Sequence, residues 1–199
     1  MEKHYLLIGG SHGIGFELAK KLSSHGHRVT VLSRTRGALE QLPDVEHHVF
    51  DVLRDEFPLA VLPDALDGLA YRPGSINLRS FSSMKPEQFR DEFEINCIGA
   101  VRCLQAALKA LKSAPGSGVV LFSTVAVGTG MPFHASISAA KGAVEGLTRA
   151  LAAELAPTVR VNCIAPSLTD TPLAARLLSS DDKREASAAR HPLKRIGSA

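Results

Sequence analysis

Two apolar periods alternate along this chain, and together they predict its elements. Short runs rich in apolar and β-branched residues read as strands over residues 5–8, 28–33, 66–70, 118–123 and 159–164. Residues 46–50, ending at Asp51, fit the same spacing as a third strand in chain order. Between the strands, apolar positions recur at helical spacing over 14–25, over a short stretch up to Leu42, over 86–112 and over 133–156. Breakers punctuate the pattern. Gly26 follows the first helix as a C′ residue, Pro43 and Pro157 end later ones, and Pro58 with Pro63 interrupts residues 52–66. Pro86 suits the first turn of the long helix. Strands alternating with helices predict one α/β domain over residues 1–199. It is a doubly wound parallel sheet in three αβα layers, with ligands at the strands' C-terminal ends.

The first strand runs straight into Gly9-Gly10-Ser11-His12-Gly13-Ile14-Gly15 and then into a helix. In that geometry the free backbone N–H groups of the helix N-terminus cradle a pyrophosphate. Glycine is required because a Cβ would block both the tight turn and the approach of the phosphate. The spacing is Gly9-x-x-x-Gly13-x-Gly15, and its place at the end of the first strand of an α/β pattern gives it meaning.

Composition narrows the partners. The 199 residues are 45% hydrophobic and 22% charged, enough for a real core. A net charge of +3, with no Lys/Arg block or aromatic-basic interleaving, argues against nucleic acid as a partner. No apolar run approaches the ~18 residues of a membrane helix, so no membrane partner is expected. The chain opens directly on a strand, so no signal peptide is expected. Cys97, Cys103 and Cys163 form an odd set without metal spacing and fit reduced thiols in a cytoplasmic protein. The eight histidines form no ligand cluster, so no metal site is expected.

Taken in order, these motifs resemble the short-chain dehydrogenase/reductase family across essentially the whole chain. Gly9, Ser11, His12, Gly13, Ile14 and Gly15 resemble its cofactor turn, and Asp51-Val52 its adenine-contacting pair. Asn96 in Ile95-Asn96-Cys97 resembles the Asn inside its fourth helix, and Lys141 in Ser138-Ala139-Ala140-Lys141 its catalytic-helix lysine. Val161-Asn162-Cys163-Ile164-Ala165-Pro166 with Thr171 is similar to its sixth strand and nicotinamide loop. The resemblance implies a Rossmann-type fold, and beyond residue 197 a further helix and a seventh edge strand; either the fold is minimal here or the sequence stops short of that tail. In the family an acid ending the second strand holds the ribose hydroxyls of NAD; here Ser33-Arg34 stands there. A guanidinium binds a 2′-phosphate through charge-assisted hydrogen bonds, so NADP(H) is the expected cofactor, with His12 as a further donor. Arg72, in Tyr71-Arg72-Pro73-Gly74 where the family has Asn-Asn-Ala-Gly, is read as facing the cofactor or as a solvent-facing loop arginine.

The catalytic stretch departs from the family. The resemblance puts a serine after the fifth strand, a tyrosine thirteen residues on and the lysine four beyond; here those positions are Thr124, Ile137 and Lys141. In Tyr-x-x-x-Lys the ammonium lies over the phenol and lowers its pKa from ~10, so that it exchanges a proton with the substrate oxygen. Ile137 has no proton to give, and losing a positioned acid costs ~10²–10⁴ in rate. His134 and Ser138 share that helix face and are weaker candidates. Two readings follow. One is an NADP(H)-dependent oxidoreductase with an atypical centre, acting on a small carbonyl or alcohol through Thr124, Lys141 and Asn96. The other is an NADP(H)-binding pseudoenzyme serving as redox sensor or partner subunit. A homodimer or homotetramer through the helices at 86–112 and 133–156 is expected, with Leu104, Ala107, Leu108 and Leu111 on one outer face and Ala143, Leu147, Ala150 and Leu151 on another.

Overall fold

The computed structural model describes residues 1–199. Six parallel strands form the main sheet: β1 (His4–Ile8), β2 (Arg28–Ser33), β3 (Glu46–Val49), β4 (Gly68–Tyr71), β5 (Ser117–Phe122) and β6 (Val159–Ile164). Their order across the sheet is β3-β2-β1-β4-β5-β6. β1 is therefore central, with Leu7 level with Val31 of β2 and Ala70 of β4. The order reverses between β1 and β4, and a doubly wound sheet opens its ligand crevice there.

Side-chain alternation splits the core into two layers. Leu6, Ile8, Leu32, Leu69, Val119 and Leu121 point to one face and meet Ala100, Cys103, Ala107 and Leu111 of the long helix. Leu7, Val29, Val31 and Ala70 point to the other, against Ala19 of α1 (Gly13–Ser24) and Leu39. Both faces are covered, which is why the central strands are continuously apolar.

The long helix runs as predicted but is not uniform. α2 (Pro86–Phe93) passes through one π-helical turn, Glu94–Ile98, into α3 (Gly99–Ser113). Tyr71 explains how that wide turn is tied down. Its side chain is buried, and its hydroxyl donates to the Ile95 carbonyl at 2.6 Å, in the space a Cβ at Gly99 would fill. Several strand boundaries shift by one or two residues. β4 starts at Gly68 instead of residue 66, because the Leu66 N–H bonds to Ala110 and the Asp67 N–H to His4. β5 starts one residue early, at Ser117.

The outer-face assignment needs correcting. Leu104, Ala107 and Leu111 lie in the core, and Leu108, Ala143, Leu147 and Leu151 are packed against it; only Ala150 is exposed. The single-turn α4 (Ala126–Thr129) leads to α5 (Ala135–Leu155). After β6 the chain adds an element that apolar periodicity does not predict, α6 (Asp181–Arg190), set between the short paired strands β7 (Thr169–Asp170) and β8 (Gly197–Ser198). Ser180 caps α6 by accepting from the Lys183 N–H, Asp181 and Asp182 sit in its first turn, and Arg190 in its last. Arg184 ties it to Asp170 at 2.8 Å. No helix is long and apolar enough to cross a membrane.

Candidate active site

One open cavity of about 1660 Å³ runs along the C-terminal ends of the strands, from Ser33 and Arg34 past the glycine turn to Thr124, Ile137 and Lys141. Pockets for a single ligand are commonly ~300–1,000 Å³, so this space suits a dinucleotide with a second molecule beside it. Of the candidate catalytic and cofactor residues singled out in the sequence, all line it except Gly15, Asn96 and Ser138.

The turn fixes one side. Gly9 and Gly13 adopt φ of +81° and +55°, the left-handed region that favours glycine. A Cβ on Gly15 would lie 2.5 Å from the Gly9 carbonyl oxygen and 2.9 Å from the Gly10 Cα, so the helix can start this close to β1 only with glycine there. His12, the N-cap residue of α1, makes no side-chain cap and no acid stands in the first turn. The first N–H groups of α1 are thus left for an anion. Thr171 leans over the same turn, 3.1 Å from where a Gly13 Cβ would sit.

At the end of the cavity beside β2, Arg34 is exposed and makes no ion pair. The His12 ring packs over Gly37, three residues after Arg34. Ser33 differs from expectation. It reaches the cavity, but its hydroxyl donates inward to the Thr35 carbonyl at 2.9 Å, with His47 Nε2 3.0 Å away, so it is already engaged. Asp51 spends one carboxylate oxygen on the Leu53 N–H, and Val52 is buried beside it.

At the other end, Thr124 presents its hydroxyl after β5, holding only a long 3.3 Å bond from the Ala126 N–H, whereas neighbouring Ser123 is committed to Glu145 at 2.6 Å. Ile137 is 6% exposed and Lys141 follows one turn later on the cavity face of α5. Burial lowers the Lys141 ammonium from 10.5 to about 8; the Glu92 carboxylate and Cys163 oppose that fall and Arg72 adds to it. Ser138 does not reach the cavity. His134 does, and its Nδ1 donates to the Pro132 carbonyl at 2.7 Å.

Arg72 is not a solvent-facing arginine. Its guanidinium lies 4.8 Å from the centre of the Phe122 ring, with Nε and Nη1 buried and without hydrogen-bond partners. Nη1 lies close beneath the glycine turn, 2.8 Å from the Cβ position of Gly15. Burial pulls its pKa down to about 10, which leaves it charged at neutral pH.

Glu92 is a buried acid that sequence reasoning missed. It is 3% exposed, accepts from Ser75 Oγ at 2.6 Å and from Asn96 Nδ2 at 3.1 Å, and stands near Lys141. The π turn carries Asn96, whose Oδ1 is buried without a partner beside Gly74, where Lys141 Nζ also arrives. Glu92 stands four residues before Asn96, one helical turn away; that spacing was the available signal.

Comparison with known proteins agrees with this geometry. A family model described as enoyl-(acyl carrier protein) reductase matches residues 9–199. The 3alpha-hydroxysteroid dehydrogenase of Mediterraneibacter gnavus is 33% identical over 190 residues, covering 86% of this chain and 76% of that protein. The L-xylulose reductase of Bos taurus is 29% identical over 199 residues, covering 96% of this chain and 82% of its own. A variant of the actinorhodin polyketide ketoreductase, crystallised with NADPH, matches with a TM-score of 0.91 at 27% identity, over 99% of this chain and 85% of the other. With the family match running from Gly9 through the glycine turn, α5 and β6, this chain belongs to the short-chain dehydrogenase/reductase family of nicotinamide-dependent oxidoreductases.

Proposed function

We propose that this protein is an NADP(H)-dependent oxidoreductase acting on a small carbonyl or alcohol, with an atypical centre in which Ile137 occupies the position of the family's tyrosine. The observation that carries the reading is the single cavity joining the glycine turn and Arg34 to Thr124 and Lys141. Its residues suit a phosphorylated dinucleotide. The first N–H groups of α1 and the unpartnered Arg72 offer positive potential for the pyrophosphate, and Arg34 with His12 offers donors for a 2′-phosphate. Asp51, Val52 and Thr171 flank the adenosine and nicotinamide ends, and Lys141 holds the nicotinamide ribose. When bound, the cofactor supplies or accepts the hydride.

Thr124 orients the substrate oxygen by hydrogen bonding. Asn96, held by Glu92, supports Lys141 from behind. The proton reaches the oxygen from water or from another group of the site, since Ile137 has none. A homodimer or homotetramer formed through the helices at 86–112 and 133–156 is part of the proposal, using the exposed rather than the core positions of those helices. The relatives' names, a hydroxysteroid dehydrogenase and a sugar reductase, support a carbonyl/alcohol couple as the substrate class.

Fluorescence titration with NADPH and NADH, followed by turnover across a panel of carbonyls, tests the reading. The expected result is tighter NADPH binding and slow but measurable reduction. Tight NADPH binding with no turnover of any carbonyl points to the sensor or partner-subunit role, which the apolar Ile137 at the reacting position favours. Failure to bind either dinucleotide ends both readings.

A further inference from the structure

The charge of the cavity is uneven. Its lining carries seven Lys and Arg residues against two Asp, whereas the whole chain has a net charge of only +3. The protein outside the lining is therefore net negative, and its cationic character is concentrated on this one space.

Arg34, Arg72 and Lys141 are absorbed by the reading above. Four others are not: Arg176, Lys183, Arg190 and Arg195, all contributed by the segment after Thr171 that includes α6. The face of α6 that lines the cavity, at positions 182, 183, 186, 187 and 190, is the spacing of one helical face. On that face Lys183 and Arg190 outnumber Asp182, while Arg184, on the other side, is neutralised by Asp170. None of the four roof cations has a carboxylate within ion-pair distance; Lys183 Nζ donates to Ser179 Oγ and Arg190 Nε to the Ala186 carbonyl. A surface arginine is ordinarily free to find an acid. A roof that gathers four cations over a cleft and leaves them unpaired focuses positive potential into it.

We propose that the substrate of this centre carries an oxyanion, a carboxylate or a phosphate group, and that Arg176, Lys183, Arg190 and Arg195 receive it. The inference rests on the oxidoreductase reading for its hydride chemistry and adds the substrate class. The cofactor's own phosphates are the competing source of the same chemistry, so the test separates the two.

The probes are matched pairs differing in charge: 4-oxopentanoate with its methyl ester, and dihydroxyacetone phosphate with dihydroxyacetone. Binding of each to the full chain, with and without saturating NADP⁺, is measured by calorimetry, and the Kd for NADPH is measured separately. The charged member of a pair should bind about tenfold tighter at low salt, with that advantage shrinking as salt shortens the screening length from ~30 Å to ~3 Å. In R176Q/R190Q, and independently in K183Q/R195Q, the advantage should fall by about fivefold while the NADPH Kd moves by less than about twofold.

Equal binding of charged and neutral members in both pairs overturns the proposal. So does a variant that weakens NADPH about tenfold while keeping the substrate advantage, because the roof would then serve the cofactor. Loss of NADPH binding in the wild-type chain would instead defeat the oxidoreductase reading. The pairs measured without NADP⁺ would still decide whether the roof takes an oxyanion.

Discussion

The two ends of the cavity are built from different material. At the glycine turn the working groups are backbone N–H donors and the absence of side chains, since a Cβ at Gly15 meets the chain itself at 2.5 Å. At the α5 end they are side chains projecting from an intact helix, where Ile137 sits at 6% exposure without disturbing its neighbours. A part made of backbone geometry cannot be exchanged without breaking the turn. A part made of one side chain can be exchanged while the helix, Lys141 and Thr124 keep their places. That asymmetry explains how the family's turn can persist in this chain beside the altered centre proposed above.

The sharpest break should come at the turn. Gly15→Ala forces a Cβ against the Gly9 carbonyl and the Gly10 Cα, both backbone, so nothing soft can yield. We expect stability to fall by ~1–3 kcal/mol and NADPH affinity by about a hundredfold or more, read by thermal melting and fluorescence titration. Gly146→Ala, on α5 with nothing within 4 Å of the new Cβ, should instead gain ~0.5–1 kcal/mol from helix propensity. If both variants behave alike, the turn is not a steric device.

Arg34→Ala probes the same end through a side chain. NADPH should weaken by ~1.5–3 kcal/mol, the range for a hydrogen bond to a charged group, with NADH nearly unchanged. Equal losses for both dinucleotides would remove Arg34 from the 2′-phosphate.

At the α5 end, Ile137→Tyr should raise carbonyl reduction about tenfold or more, because Lys141 already stands four residues on. The phenol is larger than the buried isoleucine and costs ~1–3 kcal/mol of stability, so folding and NADPH binding must be shown alongside. A folded, NADPH-binding variant with no gain would show that the centre lacks more than a phenol.

The same asymmetry governs what the sequence reveals. The central strands are legible because both faces are buried and their residues are apolar throughout. Leu66 misleads: it is fully buried, yet its N–H bonds to Ala110 and the strand begins at Gly68. The helix at 86–112 shows its amphipathic period but not its π turn, which depends on Tyr71 reaching Ile95 from another strand. Periodicity also cannot tell which apolar stripe meets the sheet, and so Leu104, Ala107 and Leu111 look available for a partner when they are core.

α6 has no apolar stripe and no buried residue; only its Ser180 cap and first-turn acids announce it. Within the site, the backbone-made turn was readable from glycine spacing together with its place after the first strand. Glu92 was not, and Arg72 reads as facing either the cofactor or solvent, since a charged residue reads as surface until distant groups enclose it. Phe122 and Gly15 do so for Arg72, and Ser75 and Asn96 for Glu92.

Glu92 supplies the smallest and most specific test. Its carboxylate lies behind Lys141 and opposes the effect of burial, which has already lowered that ammonium to about 8. The other charges acting on Lys141 are Cys163, which also raises it when ionised, and Arg72, which lowers it. Glu92→Gln removes one supporting charge while keeping an acceptor for Ser75 and Asn96, so the fold should lose only ~1 kcal/mol. The Lys141 pKa must then fall below about 8.

The sign follows from proton binding. Between the folded value and 10.5 the unfolded chain holds a proton on Lys141 that the folded chain has released, so stability rises with pH through that window. In Glu92→Gln the window opens at lower pH. NADPH affinity, where it depends on a charged Lys141, should decline from a midpoint shifted to lower pH. Glu145→Gln is the control: its carboxylate serves Ser123 and is not among the charges acting on Lys141. If Glu92→Gln leaves both the stability window and the affinity midpoint where they are in the wild type, Glu92 is a packing residue and Lys141 draws its charge balance from elsewhere.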